Sequence, residues 1–178
     1  MGSEMCIRDR YNIGDTIIYT TYGLCRIESL IQKEFNGKIM DYYILKPLND
    51  AKASLQIQVD NPITKEKLRT LLNKDEILRL IQEIPLVEPY WIENENERKK
   101  HFSTILRIGK RIEIIAVIKS IYEHQRMLKE KGRKLHACDE QYFKDAEKII
   151  YEEFSYVLKV DKKEIAGYIT NEIELKKV

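Results

Sequence analysis

Few residues of this chain have the types and spacing that catalysis or metal binding would need. The closest His and Cys residues are His136 and Cys138, and no further ligands accompany them as a zinc site would require. The sequence also lacks a glycine-rich phosphate loop, a nucleophile elbow and a His-Glu-x-x-His helix. We therefore expect a protein that is not an enzyme and that holds no cofactor or metal.

A basic segment is the feature that first suggests a partner. Between Arg98 and Lys134, 12 Lys or Arg residues stand against three acids, whereas acids outnumber basic residues ten to seven from Asp139 onward. A basic helical stretch can contact nucleic-acid phosphates. It can equally be a solvated helix face with ordinary salt bridges, and the overall net charge of +2 does not decide between the two.

The elements that must position these residues differ between the two halves of the chain. From Tyr11 to Val59 the residues follow the pattern of short strands, and Asn36-Gly37 is a strong signal for a two-residue hairpin turn. Four or five short strands in so little chain cannot form a large sandwich. We therefore predict a small SH3- or Tudor-like β-barrel.

The period changes at Asp60-Asn61-Pro62, where apolar residues begin to recur at helical spacing. Short helices are predicted over residues 65–72 and 74–84, followed by a stiff linker between Pro85 and Pro89. The rest reads as an all-α bundle that buries one shared core. The predicted fold class is therefore a two-domain α+β protein, with the β-barrel first and the helical bundle second.

The predicted domain boundaries follow from these patterns. Residues 1–10 are interpreted as a leader or tag outside the fold, 11–62 as the β-domain, 63–89 as short helices and linker, and 90–178 as the helical domain. Three scattered Cys residues and no long apolar run predict a cytoplasmic protein with no membrane span. A monomer is expected, because no apolar stripe is left once the two cores are assigned.

The order of several short motifs resembles the CarD/CdnL family of bacterial transcription regulators. The run from Tyr11 to Tyr19, then Tyr22-Gly23 and Tyr42-Tyr43-Ile44-Leu45, is similar to a module that also occurs in the transcription–repair coupling factor. Trp91, Arg98 and Gly109, with the later run from Ala146 to Ile150, resemble the family's DNA-binding domain. The chain departs from the family at Thr20, where proline is usual, and at Tyr22, where histidine is common.

The resemblance implies two partners. The N-terminal domain of such proteins binds the RNA polymerase β subunit by adding a strand edge, and the matching positions here are Lys33, Glu34 and Gln56. In the C-terminal domain a tryptophan wedges into the minor groove of promoter DNA, which points to Trp91. Basic residues on the neighbouring helices would contact phosphates without reading sequence: Arg98, Lys99, Lys100, Arg107, Lys110 and Arg111.

The function implied is regulation of transcription initiation, in which the protein stabilises the open promoter complex. Two of these residues also have an interpretation that involves no partner. Lys33 can be a solvent-exposed charge, and Trp91 can be a core residue that closes the domain interface. For the whole protein, the alternative is an interaction adaptor whose bundle never touches DNA. A small enzyme is the third possibility and would need a pocket with converging titratable groups.

Overall fold

The computed structural model describes residues 11–20 and 22–175, so the predicted leader at residues 1–10 lies outside the described residues. The chain divides into two compact units between Leu71 and Leu72. That division falls inside the segment 63–89 that the sequence pattern assigned to short helices and a linker.

The N-terminal unit is a five-stranded antiparallel sheet with one short helix. The strands lie in the order β4-β3-β2-β1-β5. Their bounds are β1 Thr16–Tyr19, β2 Gly23–Phe35, β3 Lys38–Pro47, β4 Leu55–Gln58 and β5 Leu68–Thr70, and helix α1 Pro62–Lys67 precedes β5.

The long hairpin of β2 and β3 turns at Asn36-Gly37, as the sequence predicted. Both turn residues have positive φ, at 52° and 72°, which is the conformation that a two-residue turn of this type requires. The ladder then runs from Phe35 opposite Lys38 back to Cys25 opposite Pro47, with one irregularity between Ile27 and Ser29. The turn therefore sets the register of the largest strand pair in the molecule.

The sheet is open, so the predicted closed barrel is not confirmed. Within the described residues, its end strands β4 and β5 pair only with β3 and β1, respectively. The helix predicted over residues 65–72 is also wrong in its second half, because Leu68–Thr70 pairs with β1 instead. Leu68 is buried in the sheet core. Burial in that core and the ladder bonds to β1 outweigh the helical spacing of the local sequence.

The C-terminal unit is a bundle of helices. Their bounds are α2 Lys74–Glu83, α3 Glu95–Ile108, α4 Arg111–Glu130, α5 Ala137–Leu158 and α6 Ile165–Leu175, and a short 3₁₀ turn at Ile84–Leu86 follows α2. One apolar core joins them, with buried residues such as Ile77, Phe102, Ile121, Phe154 and Ile165. The predicted helical part is therefore confirmed, and α2 shares its core.

Two of these helices end beside a glycine with a left-handed backbone conformation. Gly109, after α3, has a φ of 76°, and Gly132, just beyond α4, has a φ of 66°. Both values lie in the left-handed region, where a residue with a Cβ is strained. These two glycines therefore fix where α3 and α4 stop and where the next chain segment begins.

Candidate functional site

The first candidate surface is the outer face of the hairpin, and it brings together two of the three predicted polymerase-contact residues. Lys33 on β2 donates a hydrogen bond from Nζ to Oε1 of Gln56 on β4, across the intervening strand β3. The same Nζ lies 5.7 Å from the ring centroid of Tyr42. These contacts hold the ammonium group of Lys33 beside the ring of Tyr42 and the amide of Gln56, so the side chain does not extend freely into solvent.

Glu34 is not part of this face. Successive side chains of a strand point to opposite sides of the sheet, so Glu34 lies on the side opposite to Lys33, opposite Ile39 in the register. Phe35, two residues after Lys33, returns to the same face as Lys33. The exposed fraction of Phe35 is 65% and that of Ile39 is 71%, which is high for large apolar side chains.

Phe35 and Ile39 are candidate contact residues that sequence reasoning missed. Both flank the Asn36-Gly37 turn, and an alternating strand pattern does not show which apolar side chains lack a core to pack against. Phe35 shares one face of the hairpin tip with Lys33, and Ile39 shares the other face with Glu34, so each face combines an exposed apolar side chain with a charged one.

The hairpin also presents a free strand edge. Strand β1 pairs with β2 only from Gly23 to Arg26. Beyond the irregularity, Ser29–Phe35 pairs with β3 on one side, and no strand within residues 11–20 and 22–175 pairs with its other side. A strand with one unpaired row of N–H and C=O groups is a template for pairing with another chain.

The second candidate surface surrounds Trp91, in the segment between the 3₁₀ turn and α3. Two residues of α4 anchor this segment. Lys119 donates from Nζ to the carbonyl oxygens of Ile84, at 3.0 Å, and of Val87. Ser120 Oγ accepts a hydrogen bond of 2.9 Å from the backbone N–H of Tyr90. The chain just ahead of Trp91 is therefore fixed to the bundle through partly buried backbone groups.

Trp91 itself is half-buried and stacked against two flat side chains. The imidazole of His124 lies 3.6 Å from it, between ring centroids, with the planes 8° apart. The guanidinium carbon of Arg98 lies 4.4 Å from the ring centroid of Trp91. Phe102 approaches edge-on. The indole therefore has a defined orientation that these contacts impose before any partner arrives.

Arg98 does not lie where a phosphate contact would need it. Its exposed fraction is 3% and that of Asp139 is 0%. The guanidinium donates from Nε and Nη2 to the two carboxylate oxygens of Asp139, at 3.0 and 2.9 Å, and from Nη1 to the carbonyl of Ile92 at 2.7 Å. The hydrogen bond to Asp139 raises the pKa of Arg98. We therefore correct its role from phosphate contact to structural support of Trp91.

The surroundings of His124 favour the neutral form of its imidazole. Burial is the main cause that lowers the pKa of its imidazole, and the positive charge of Arg98 lowers it further. Within the described part of the chain, Nδ1 of His124 is buried and has no hydrogen-bond partner. A neutral ring can leave that nitrogen as an unused acceptor, whereas a charged ring would bury an unpaired N–H donor. The lowered pKa and the unpaired nitrogen therefore both favour an uncharged ring in the stack on Trp91.

Arg111 is also committed to the fold. It donates from Nε and Nη2 to the carboxylate of Glu153, at 3.0 and 2.7 Å, and Glu153 is buried. The same carboxylate accepts a hydrogen bond from the backbone N–H of Leu72. Through Glu153, Arg111 connects the start of α4 to α5 and to the first residue of the C-terminal unit. These contacts leave the guanidinium group of Arg111 little freedom to reach a phosphate.

The remaining predicted DNA contacts are exposed or half-exposed. Lys99 forms an ion pair with Glu95, and Lys110 with Glu113, each within one turn of helix. Lys100 and Arg107 are exposed, and no ion pair joins either of them to another described residue. They stand seven residues apart on α3, which is two helical turns, so they share one face. These two residues are the best placed of the set for phosphate contacts.

Three further observations concern other classes of site. No group of three or more His, Cys, Asp or Glu residues that could hold a metal ion occurs within residues 11–20 and 22–175. In the same ranges, no helix combines the length and apolar character that crossing a bilayer would take. Burial raises the pKa of the Cys25 thiol to about 11, which disfavours the thiolate form that reacts.

The fold thus defines a class of protein in which a small open β-sheet unit precedes a helical bundle. Residues 11–68 match the family model for the CarD-like/TRCF RID domain. Residues 11–68 therefore form a CarD-like domain of the kind that interacts with RNA polymerase, and the protein is related to transcription. This match confirms the resemblance read from the N-terminal motifs, and the resemblance read from the helical half stays a prediction. No curated protein is significantly similar to the chain.

Proposed function

We propose that this protein regulates bacterial transcription initiation by binding two partners at once. Its N-terminal unit binds the β subunit of RNA polymerase, and its helical unit contacts promoter DNA at the upstream edge of the melted region. It acts in the cytoplasm as a monomer, through binding and not through catalysis. The match of residues 11–68 to the CarD-like/TRCF RID domain is the observation that carries this proposal.

The polymerase contact is expected to be a strand addition. The unpaired side of Ser29–Phe35 supplies main-chain hydrogen bonds, which give affinity to any extended segment of suitable length. Lys33, with its amide partner Gln56, and the exposed ring of Phe35 lie along the same strand face and would select the partner by charge and shape. Glu34 faces the other side and would contribute at the edge of the contact only.

The DNA contact is expected to centre on Trp91. Because its ring is already ordered by His124 and Arg98, binding would not have to immobilise it. An ordered apolar edge can hold an opened base step, and the exposed Lys100 and Arg107 can hold the neighbouring phosphates. A protein that binds the distorted DNA better than the intact duplex shifts the equilibrium toward the open complex.

The adaptor alternative is favoured by a specific observation. Two of the seven predicted DNA contacts, Arg98 and Arg111, are engaged by buried carboxylates, and Trp91 packs against the bundle core. A helical unit of that kind can serve as a binding module for a second protein without touching DNA. Substitutions on the exposed part of the surface separate the two functions.

The test is promoter open-complex lifetime on purified polymerase with matched charge reversals. Lys100→Glu combined with Arg107→Glu is expected to shorten the lifetime conferred by the protein and to spare polymerase binding. Lys33→Glu combined with Phe35→Ser is expected to abolish polymerase binding. Lys52→Glu and Lys148→Glu, at exposed positions outside both surfaces, are the controls. An adaptor predicts that the first pair behaves like the controls.

A further inference from the structure

A basic groove lies at the far end of α4 and has no part in the function proposed above. It is a cavity of about 460 Å³, and four of its lining residues are cationic while a single carboxylate, that of Glu140, faces them. The cationic lining residues are Arg126, Lys129, Arg133 and Lys134. Ligand sites in proteins commonly fall in the range of about 300–1,000 Å³, so the groove is large enough to hold a small molecule.

The glycine turn after α4 builds this groove. Gly132, in its left-handed conformation, lets the N–H of Arg133 return to the carbonyl of Leu128 at 2.8 Å, while its own N–H bonds to Lys129 at 3.0 Å. The chain therefore folds back over the last turn of the helix. Arg133 and Lys134 are brought beside Arg126 and Lys129, although like charges repel at such spacing.

Most of these charges have no partner in the fold. Arg126 forms an ion pair of 2.9 Å with Glu123, a neighbour on the same helix. For Lys129, Arg133 and Lys134, no ion pair with another of the described residues is found, and all three are exposed. Concentrated positive charge around a concave surface attracts anions more strongly than the same charges on a flat surface would.

An aromatic ring stands at the same groove. Tyr122 is one turn before Arg126 on α4, and its exposed fraction is 56%. Its ring stacks on no other aromatic ring among residues 11–20 and 22–175. Gln125, which also lines the groove, offers both a donor and an acceptor. An exposed aromatic ring beside several cations is the combination with which proteins hold unpaired nucleotides, because the ring stacks on the base and the cations hold the phosphates.

We propose that the basic groove binds the base and phosphates of an unpaired nucleotide. Tyr122 would stack on the base, Gln125 and Glu140 would hydrogen-bond its edge or the sugar, and the four cations would hold the phosphates. The ligand is either a free nucleoside polyphosphate or one nucleotide of a single DNA strand, since both present the same chemistry. This site requires neither the polymerase contact nor the role of Trp91 in DNA.

The test is a calorimetric titration of the intact chain with five probes at one salt concentration. The probes are ATP, a short single-stranded oligonucleotide, a duplex of the same length, inorganic pyrophosphate and poly-glutamate. Binding of ATP or of the single strand that exceeds binding of pyrophosphate and poly-glutamate supports the site, and the tighter of those two probes identifies the source. Equal binding of all anions, preference for the duplex, or no binding at about millimolar ligand overturns the proposal.

Variants then assign the binding to this groove. Tyr122→Leu keeps an apolar side chain at an exposed position, so folding is unaffected, and it is expected to weaken nucleotide binding by about fivefold or more because base stacking is lost. Arg133→Glu combined with Lys134→Glu is expected to remove binding. Lys144→Glu combined with Lys148→Glu makes the same charge change elsewhere and is expected to have little effect. Nucleotide binding that survives both groove variants would overturn the assignment.

Discussion

At the scale of single residues, two side chains of the same charge have opposite roles on one helix. Arg98 and Lys100 are close neighbours on α3, yet Arg98 is buried in an ion pair with Asp139 and Lys100 points to solvent. The sequence alone predicts a phosphate contact for both residues, because both belong to the same basic segment. The partner that distinguishes them stands 41 residues away along the chain, so neither composition nor local spacing could have revealed it.

Removing Arg98 should therefore destabilise the fold and not merely weaken a surface contact. Arg98→Ala leaves the buried carboxylate of Asp139 without a counter-charge, and we expect the free energy of unfolding to fall by about 3–5 kcal/mol. Lys100→Ala is the matched control and should change it by less than about 0.5 kcal/mol. The measurement is denaturant unfolding followed by circular dichroism.

A compensating variant makes this prediction sharper. Arg98→Met combined with Asp139→Leu removes both charges together, and it should recover much of the stability lost by the single change, because no buried charge then lacks a partner. Equal stability of Arg98→Ala and Lys100→Ala would show that the buried ion pair does not form in solution.

The pKa of His124 predicts how stability depends on pH. Burial is the largest cause that lowers this pKa, and the charged or titratable groups that also act on it are Glu93, Arg98, Asp139 and His136. The unfolded chain binds a proton at His124 more readily than the folded protein does. The contribution of His124 to stability is therefore complete above the unfolded pKa of about 6.5, and it is lost as pH falls through the lower folded value.

We expect the free energy of unfolding to fall between about pH 7.5 and about pH 5, with part of the slope due to His124. His124→Phe keeps a flat ring against Trp91 and removes the titration, so the slope should become shallower in that variant. Ser103→Ala, an exposed change on α3 that adds or removes no titratable group, is the control and should leave the slope as it is. An unchanged slope in His124→Phe would mean that this histidine titrates alike in both states.

At the scale of elements, the turns were predictable and the sheet edges were not. The turn at Asn36-Gly37 and the glycines after α3 and α4 can be recognised in the sequence, because few residue types tolerate positive φ. Strand β5 has only three residues, too few for an alternating pattern to show, and it exists because β1 offers it a partner. Closure into a barrel depends on tilt and register between distant strands, and short local patterns carry little information about either.

The missed strand predicts where the N-terminal unit can be cut. A fragment of residues 11–71 retains β5 and buried Leu68, and we expect it to unfold cooperatively on heating. A fragment of residues 11–62 exposes the edge of β1 and opens the sheet core, so it should show no cooperative transition. Thermal circular dichroism distinguishes the two, and similar melting of both fragments would show that β5 adds nothing to stability.

At the scale of the whole molecule, the proposed function needs both units on one chain. The two contacts are individually modest: a short strand addition on one side, and on the other a wedge with a few phosphate contacts that salt weakens. Tethering turns the second contact into an intramolecular event with an effective concentration of about millimolar. The net charge of the chain is only +2. Such a charge fits the proposal that polymerase brings the protein to DNA, because the protein's own electrostatic attraction to DNA is weak.

The two units should therefore fail to act on the promoter when they are separated. Residues 11–71 and 72–175, supplied together as fragments at micromolar concentration, should leave open-complex lifetime unchanged, while the intact chain lengthens it. The N-terminal fragment should also compete with the intact chain for polymerase and so reverse its effect, whereas the C-terminal fragment should not. Added salt should shorten the open-complex lifetime conferred by the intact chain more steeply than the lifetime conferred by the double variant Lys100→Glu with Arg107→Glu. The variant has fewer phosphate contacts to lose. If the separated fragments work as well as the intact chain, tethering is not the mechanism, and the helical unit then acts on DNA or on polymerase by itself.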